Sequence, residues 1–322
     1  MFPGVPPAAR VAIRHRKGAL FSLAALTLLY LLYHTITIPP DPPRSPTLLR
    51  LNSPPPSLNT TPPPTFLLSP PPPPPPVFPP GPALPPSTKA LVIAHTLSEP
   101  VTWIHDPLSP SSPSTIASTW TTHLYTTDSL YPLSSLHTPL HKGREALAYL
   151  THIIDHYPHL ADVTLFLHAH RTSWHDDQFA LDTPTALSRL NLSRVVERGY
   201  MNLRCAWEPG CPDHIHPAVK EEDANKPEQA VFERAWGELF DGVQVPGVLS
   251  QACCAQFGVS RERVWRRGVG FYTGVREWLM RTGLEDGVSG RVMEYVYQYI
   301  WTGNAVHCPD EHECYCKGYG IC

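Results

Sequence analysis

Cysteine is missing from the first 204 residues of this chain; all eight cysteines fall between Cys205 and Cys322. No basic stripe marks the second half, and 25 Lys and Arg against 28 Asp and Glu give a net charge of −3 with histidine neutral. That balance offers little to a phosphate backbone, so no nucleic-acid partner is expected. The sequence contains no GxGxxG, no P-loop and no GxSxG, which excludes the usual dinucleotide, Walker and nucleophile-elbow signatures. Without an HExxH, the common zinc-protease arrangement is excluded too. No internal repeat is present, so a solenoid or propeller is not expected.

What is there divides unevenly, because most of the 40 prolines precede Thr88. Residues 1–18 form a basic arm with Arg10, Arg14, Arg16 and Lys17. The apolar run 19–38, from Ala19 to Ile38, would span about 30 Å as a helix, the thickness of a hydrocarbon core. Positive charge before it and little after it orients the N-terminus to the cytosol. A cleaved signal peptide is the alternative, but no small-residue cleavage site follows and Pro39-Pro40 come at once. The run is therefore read as a transmembrane signal anchor of a single-pass type II protein. Residues 39–87, with unbroken proline from Pro70 to Pro76, favour polyproline II and read as a disordered stem. At about 3.1 Å per residue such a stem reaches up to roughly 150 Å. Facing the lumen, it serves as a spacer rather than an SH3 ligand. Asn59 and Asn191 open glycosylation sequons.

The region 88–322 is expected to fold as an α/β domain in the secretory lumen. Ala90–Ala94 is a buried-type strand, followed by Ser98 as cap of a short helix through Trp103 and Ile104, with Glu99 in its first turn. Pro107–Pro113 is a loop and Thr119–Tyr125 a second strand. Leu147, Leu150, Ile154 and Tyr157 give helical spacing over Gly143–Tyr157, and Pro158 ends it. The run from Asp162 then alternates Val163, Leu165 and Leu167 with Thr164, Phe166 and His168, a strand covered on both faces. Strand–helix alternation predicts a mostly parallel sheet with flanking helices, Rossmann-like in architecture. Further helices are expected over Ala186–Glu197, Gln229–Phe240, Phe271–Met280 and Gly290–Trp301. Gln251–Val259 reads as one buried strand, Ser260 as a helix cap, and His307–Cys322 as a tail without periodicity.

Ligands of open α/β sheets bind at the carboxyl ends of strands. The third strand ends in His168, His170, Arg171, Ser173, Trp174, His175, Asp176 and Asp177, the densest group of functional side chains in the chain. His168 and His170, two apart, face one side of a continuing strand and suit a divalent metal, with His175 and Asp176 completing it. Asp176-Asp177 could hold a cation on a diphosphate, and Asp177 is placed among the catalytic candidates. Packing and hydrogen bonding at a strand end is the competing role for these histidines. His95 and Glu99, beyond the first strand, sit where a nucleotide would meet the protein. Arg144, at the start of a helix, could face an anion, whereas Glu145 is read as offsetting the helix dipole. Glu294, among Val292, Met293, Tyr295 and Val296, would have a raised pKa suited to a general base; pairing with Arg291 is the structural alternative. The cysteines fit disulfides in an oxidising compartment, with Cys205–Cys211 a plausible local clamp. Zinc on His307, Cys308, His312, Cys314, Cys316 and Cys322 is the other reading, without the usual CxxC pairing. Cys253-Cys254 is read as structural.

The blocks KGREALAYLTHIID, LFLHAHRTSWHDD, GYMNLRCAWEPGCP, CCAQFGVSRERV, SGRVMEYVYQYIWTG and HCPDEHECYCKGYGIC, in this order, resemble the fungal DUF3431 family over roughly residues 89–322. The resemblance implies a single-pass or secreted protein, distantly similar to GT-A glycosyltransferases. No Asp-x-Asp follows the central strand; His168-Ala169-His170 stands there instead. The leading expectation is a glycosyltransferase-like protein using a nucleotide sugar, acting on a glycan or glycoprotein. A metal-dependent hydrolase on the same histidines, and a non-catalytic binding module with Trp174 and Trp207 as stacking platforms, are the alternatives.

Overall fold

The three strands expected first in the folded region form, and run parallel: β1 (Lys89–His95), β2 (Thr121–Thr126) and β3 (Val163–His168). Helix α1 (Glu145–Asp155) connects the last two, as the helical spacing requires. The computed structural model describes residues 86–104, 120–129 and 136–322. These lie within the second of the chain's two units, Pro63–Cys322. The basic arm, the run 19–38, the stem up to Pro85 and the Pro107–Pro113 loop are outside the described residues. Among the described residues no helix is long and apolar enough to cross a membrane.

After β3 come α2 (Thr183–Arg189), α3 (Leu192–Arg198), β4 (Tyr200–Asn202) and α4 (Gln229–Leu239). The helix expected over Ala186–Glu197 is thus two helices. Leu190 is extended at φ −64°, ψ 123°, which breaks the first, and Asn191 starts the second. The chain continues through β5 (Ser250–Gln251), β6 (Phe257–Ser260), α5 (Arg261–Val264), α6 (Val269–Arg281) and α7 (Asp286–Glu294). It ends with α8 (Tyr297–Thr302), β7 (Val306–His307) and α9 (Glu311–Tyr319). Ser260 caps α5 as expected, its hydroxyl accepting from the Arg263 N–H. The span Gly290–Trp301 is shared between α7 and α8. The tail carries a capped helix, Asp310 accepting from the Glu313 N–H. Only Gly318 and Tyr319 of that helix are buried, so it has no apolar stripe for a periodicity to reveal.

The main sheet has the order β2-β1-β3-β6-β4, with β6 antiparallel to both neighbours. Its parallel part follows the expected pattern; the antiparallel insertion comes from a segment read as one continuous strand. Within Gln251–Val259, Cys254 (φ 94°) and Ala255 (φ 48°) have positive φ. This turns the chain, so β5 pairs with β7 in a separate two-stranded sheet and β6 joins the main one.

Side-chain alternation divides the core in two. Val92, Phe166, Phe257 and Tyr200 face one cluster with α1, α4, α6, α7 and α8. Leu91, Ile93, Leu165 and Leu167 face the other, with Trp103, α2, α3 and Tyr319 of α9. The result is a sheet between two helical layers. Glycine at 143 is required where the chain enters α1: its φ is +69°, and a Cβ there would lie 2.6 Å from Leu279 of α6.

All eight cysteines are paired, but not as the local clamp predicts. Cys205 bonds Cys314, Cys211 bonds Cys308, Cys316 bonds Cys322, and Cys253 bonds its neighbour Cys254. The segment 205–211 is therefore stapled twice to the tail, and no thiolate remains among the described cysteines for tail zinc. Trp207 closes the same junction, donating its indole N–H to Pro309 O at 2.7 Å.

Candidate functional site

Strand order 2-1-3 places a topological switch point between the carboxyl ends of β1 and β3, where open α/β sheets leave a crevice. A cavity of about 280 Å³ opens there, lined by His95, Glu99, Arg144, Glu145, His168 and His170. A larger one of about 620 Å³ shares Arg144, Glu145, His168 and His170 and extends to Trp174, His175, Glu228, the Cys253–Cys254 pair, Arg291 and Glu294. Seven sequence-predicted site residues therefore line one connected cleft: His95, Glu99, Arg144, His168, His170, His175 and Glu294. Asp176 and Asp177 do not line it. Asp176 is buried and accepts the Thr183 hydroxyl at 2.6 Å. Asp177 pairs with Arg204 at 3.2 Å and accepts the Tyr315 hydroxyl at 3.2 Å. Both carboxylates build the loop after β3.

At the β1 end, Ser98 does not cap a helix. Glu99 instead folds back on Thr96, accepting its N–H at 2.6 Å and its hydroxyl at 2.9 Å, and the helical turn is only Thr102–Ile104. The other Glu99 oxygen meets His170 Nε2 at 3.2 Å, which bridges the loops after β1 and β3. Trp103 reinforces that bridge by donating its indole N–H to Ala169 O at 2.7 Å. His95 is held through its own loop, Nδ1 lying 3.0 Å from Thr96 O.

Past β3, burial lowers the pKa of His168 to about 4, and the neighbouring His170 lowers it further. His175 is lowered to about 3, first by burial and then by His168 and Arg204. The two rings meet edge to face at 5.3 Å, and both His168 Nε2 and His175 Nδ1 are enclosed without a hydrogen-bond partner. Both imidazoles are neutral at pH 7. The expected metal set does not gather, however. Among the described residues, His168, His170 and His175 are not a trio with ligand atoms within 4.8 Å of one another, although His175 has that spacing with Cys253 and Cys254. Those sulfurs are bonded to each other and are not thiolate ligands.

Arg204, which no motif or spacing in the sequence marks, organises this loop. Its nearly buried guanidinium donates to the carbonyls of Trp174 (3.3 Å), His175 (3.4 Å) and Glu208 (2.7 Å), and lies 5.0 Å from the centre of the Trp174 ring. Trp174 itself is 53% exposed at the cleft rim, a flat apolar surface available to a ligand.

The far wall carries the acids. Glu294 ends α7 and its carboxylate accepts the Cys254 N–H. Burial raises its pKa to about 7; the Cys254 N–H opposes the shift and the charge of Glu145 adds to it. Glu145, at the start of α1, is also raised to about 7, by burial against the opposing effects of backbone hydrogen bonding and Arg144. Its placement makes it a cleft acid as well as a helix-terminal carboxylate. Glu228 is buried, raised by the same desolvation, and sits 3.5 Å from Arg291. Arg291 thus pairs with Glu228, while Glu294 answers to Cys254. Arg144 is set by positive φ (50°) and by donation of its N–H to Asp286 at 2.9 Å. Its side chain lies along α7 over Gly290, where a Cβ would come within 3.2 Å of it. The arrangement offers two acids titrating near neutrality, two arginines and an aromatic rim. That suits binding of a polyhydroxylated, anionic ligand and proton transfer to or from a hydroxyl.

No curated protein and no solved structure matches the chain. A family model does match residues 91–317, that of DUF3431, described as a protein of unknown function. The match covers the strands, both cleft walls and most of the stapled tail, and the chain belongs to the DUF3431 family.

Proposed function

We propose that this chain is a glycosyltransferase-like enzyme that takes a nucleotide sugar as donor. The observation that carries the reading is Glu294, a carboxyl with a pKa near 7 in the wall of a switch-point cleft. A base of that pKa is efficient at neutral pH. In this reading the nucleotide lies toward His95 and Glu99, and Arg144 and Arg291 meet the diphosphate charge. Trp174 stacks on a sugar ring. Glu294 takes the proton of an acceptor hydroxyl, the acceptor oxygen bonds to the anomeric carbon, and the bond to the diphosphate breaks with the electron pair leaving on the nucleotide. No step here is routed through a metal, because the aspartates suited to one are held by Thr183, Arg204 and Tyr315 and do not line the cleft. Four disulfides support an oxidising compartment. They agree with a type II membrane protein whose folded domain faces the secretory lumen or cell surface.

The test is a thermal-shift screen of the full chain against nucleotides and nucleotide sugars, with and without manganese, followed by Glu294→Gln. A nucleotide should raise the unfolding temperature in both proteins, while turnover falls by at least about 100-fold in the variant. A folded protein stabilised by no nucleotide would sink the reading.

A hydrolytic metal centre is the second reading, favoured by the enclosed, unpartnered nitrogens of His168 and His175. It requires metal that co-purifies stoichiometrically and is lost in His168→Ala.

A further inference from the structure

A second histidine cluster lies away from the cleft, between strand β2 at the edge of the sheet and helix α1. His152, in the last turn of α1, and His156, the residue that caps its C-terminus, are four positions apart and stack with ring centroids 4.3 Å apart. His123 of β2 approaches them edge-on, at 4.6 Å from His152 and 4.8 Å from His156. One ligand nitrogen from each ring lies within 4.8 Å of the other two. In a tetrahedral zinc site, with Zn–N near 2.0–2.1 Å, such nitrogens are about 3.3 Å apart. The remaining closure is within reach of side-chain rotation at His123 and His156, which are both only partly buried.

Three details point to a ligand rather than to packing alone. His152 is 1% exposed, yet its Nδ1 is enclosed with no hydrogen-bond partner. His156 Nδ1 lies 3.1 Å from the His152 carbonyl, which can only accept, so that nitrogen carries the proton and Nε2 is left as a donor to metal. A backbone carbonyl fixing the tautomer of a metal-binding histidine is a usual outer partner. Finally, three imidazoles crowd together with no carboxylate paired to any of them among the described ion pairs, so protonation would set like charges against one another.

We propose that His123, His152 and His156 bind a divalent transition-metal ion of the zinc class, clamping edge strand β2 to helix α1. Imidazole donors suit zinc, copper and nickel rather than magnesium or calcium. The sequence holds the signal in the pair His152-x3-His156 at the end of a helix, completed by a strand histidine only the fold brings near.

The test uses the full chain, solubilised, stripped with a chelator and titrated with cobalt(II), then with zinc. One equivalent of cobalt should give visible d–d bands that zinc abolishes, and the unfolding temperature should rise with either metal. His123→Ala and His156→Ala should each weaken binding at least about tenfold, while His168→Ala and His175→Ala leave the bands unchanged. Should His123→Ala unfold the edge strand, His156→Gln carries the test, with circular dichroism confirming the fold. Absence of the bands in a folded chain overturns the proposal, as do bands that survive loss of His123 or His156, or that vanish with His168.

Discussion

The Glu294 carboxylate accepts the backbone N–H of Cys254, so the strongest candidate for a base in the cleft is held by half of a vicinal disulfide. That N–H sits where the chain turns, with Cys254 and Ala255 both at positive φ. One local irregularity therefore ends a strand, joins two adjacent cysteines and positions an acid.

Glu294→Gln should stabilise the fold at alkaline pH. Burial raises the carboxyl to about 7 from an ordinary 4.5. A raised folded-state pKa means that the favourable contribution is complete below pH 4.5 and is lost as pH rises through 7. Glutamine keeps the acceptor for the Cys254 N–H and cannot ionise. At pH 8 the variant should therefore be more stable than the parent by about 2 kcal/mol, allowing for the open cleft. The difference should vanish near pH 4.5. Urea midpoints at both values check it, and equal midpoints at pH 8 contradict the raised pKa.

The acid side should be governed by histidines. His123, His168, His214 and His307 are lowered to about 4, His175 to about 3 and His152 to about 2, with burial the leading cause in each. A depressed histidine contributes stability that is present above its unfolded value of 6.5 and lost as pH falls toward its folded value. Glu145, Glu294, Glu228 and Asp176, all raised by burial, act in the opposite sense, but six histidines outnumber four acids. The unfolding temperature of chelator-treated protein should drop from pH 7 to pH 5. It should drop less in His175→Gln. A flat profile would show that these rings take up protons without cost.

Much of this was legible before the fold was known. Continuous apolar runs identified β1 and β3, and the clean spacing of Leu147, Leu150 and Ile154 identified α1. Polar residues just past those strands are the ones that meet at the switch point, because strand ends converge wherever parallel strands are neighbours. What was not legible depends on distant partners. Asp177 looks like a metal ligand until Arg204, 27 positions on, claims it. Gln251–Val259 is apolar apart from its two glutamines and shows no clear period, so nothing in it reveals the positive φ inside. The cysteine spacing favours a local clamp, whereas the bonds cross about 100 residues, a proximity no local pattern encodes.

Replacing Arg204 with lysine should destabilise the domain by about 3 kcal/mol, although charge is kept. The guanidinium serves three carbonyls, one carboxylate and the Trp174 ring from a nearly buried position. An ammonium cannot reproduce that fork, and partly broken buried charge networks cost a few kcal/mol. Because Arg204 also fixes Trp174 and His175, ligand binding in the cleft should weaken more than in a control variant of equal stability. Denaturant titration of Arg204→Lys, with Arg234→Lys as an exposed control, measures the first effect. A change below about 0.5 kcal/mol would remove Arg204 from its organising role.

The two long-range staples should matter more than the terminal one. Cys205–Cys314 spans 109 residues and Cys316–Cys322 only six. In the chain-entropy account, these closures are worth about 5 and about 2 kcal/mol respectively. Cys205 is buried against Tyr319 and its neighbours, so Cys205→Ser/Cys314→Ser also puts polar oxygen into an apolar cluster. That double variant should lose more than Cys316→Ser/Cys322→Ser, and its tail should become protease-sensitive first. The staple lies outside the cleft, so the nucleotide binding proposed for the cleft should be unaffected in whatever fraction stays folded. Paired urea denaturation of the two double variants decides the order, and equal losses would mean that α9 is held by its packing on α3 and by the Tyr319 hydroxyl bond to Leu203 rather than by its sulfurs.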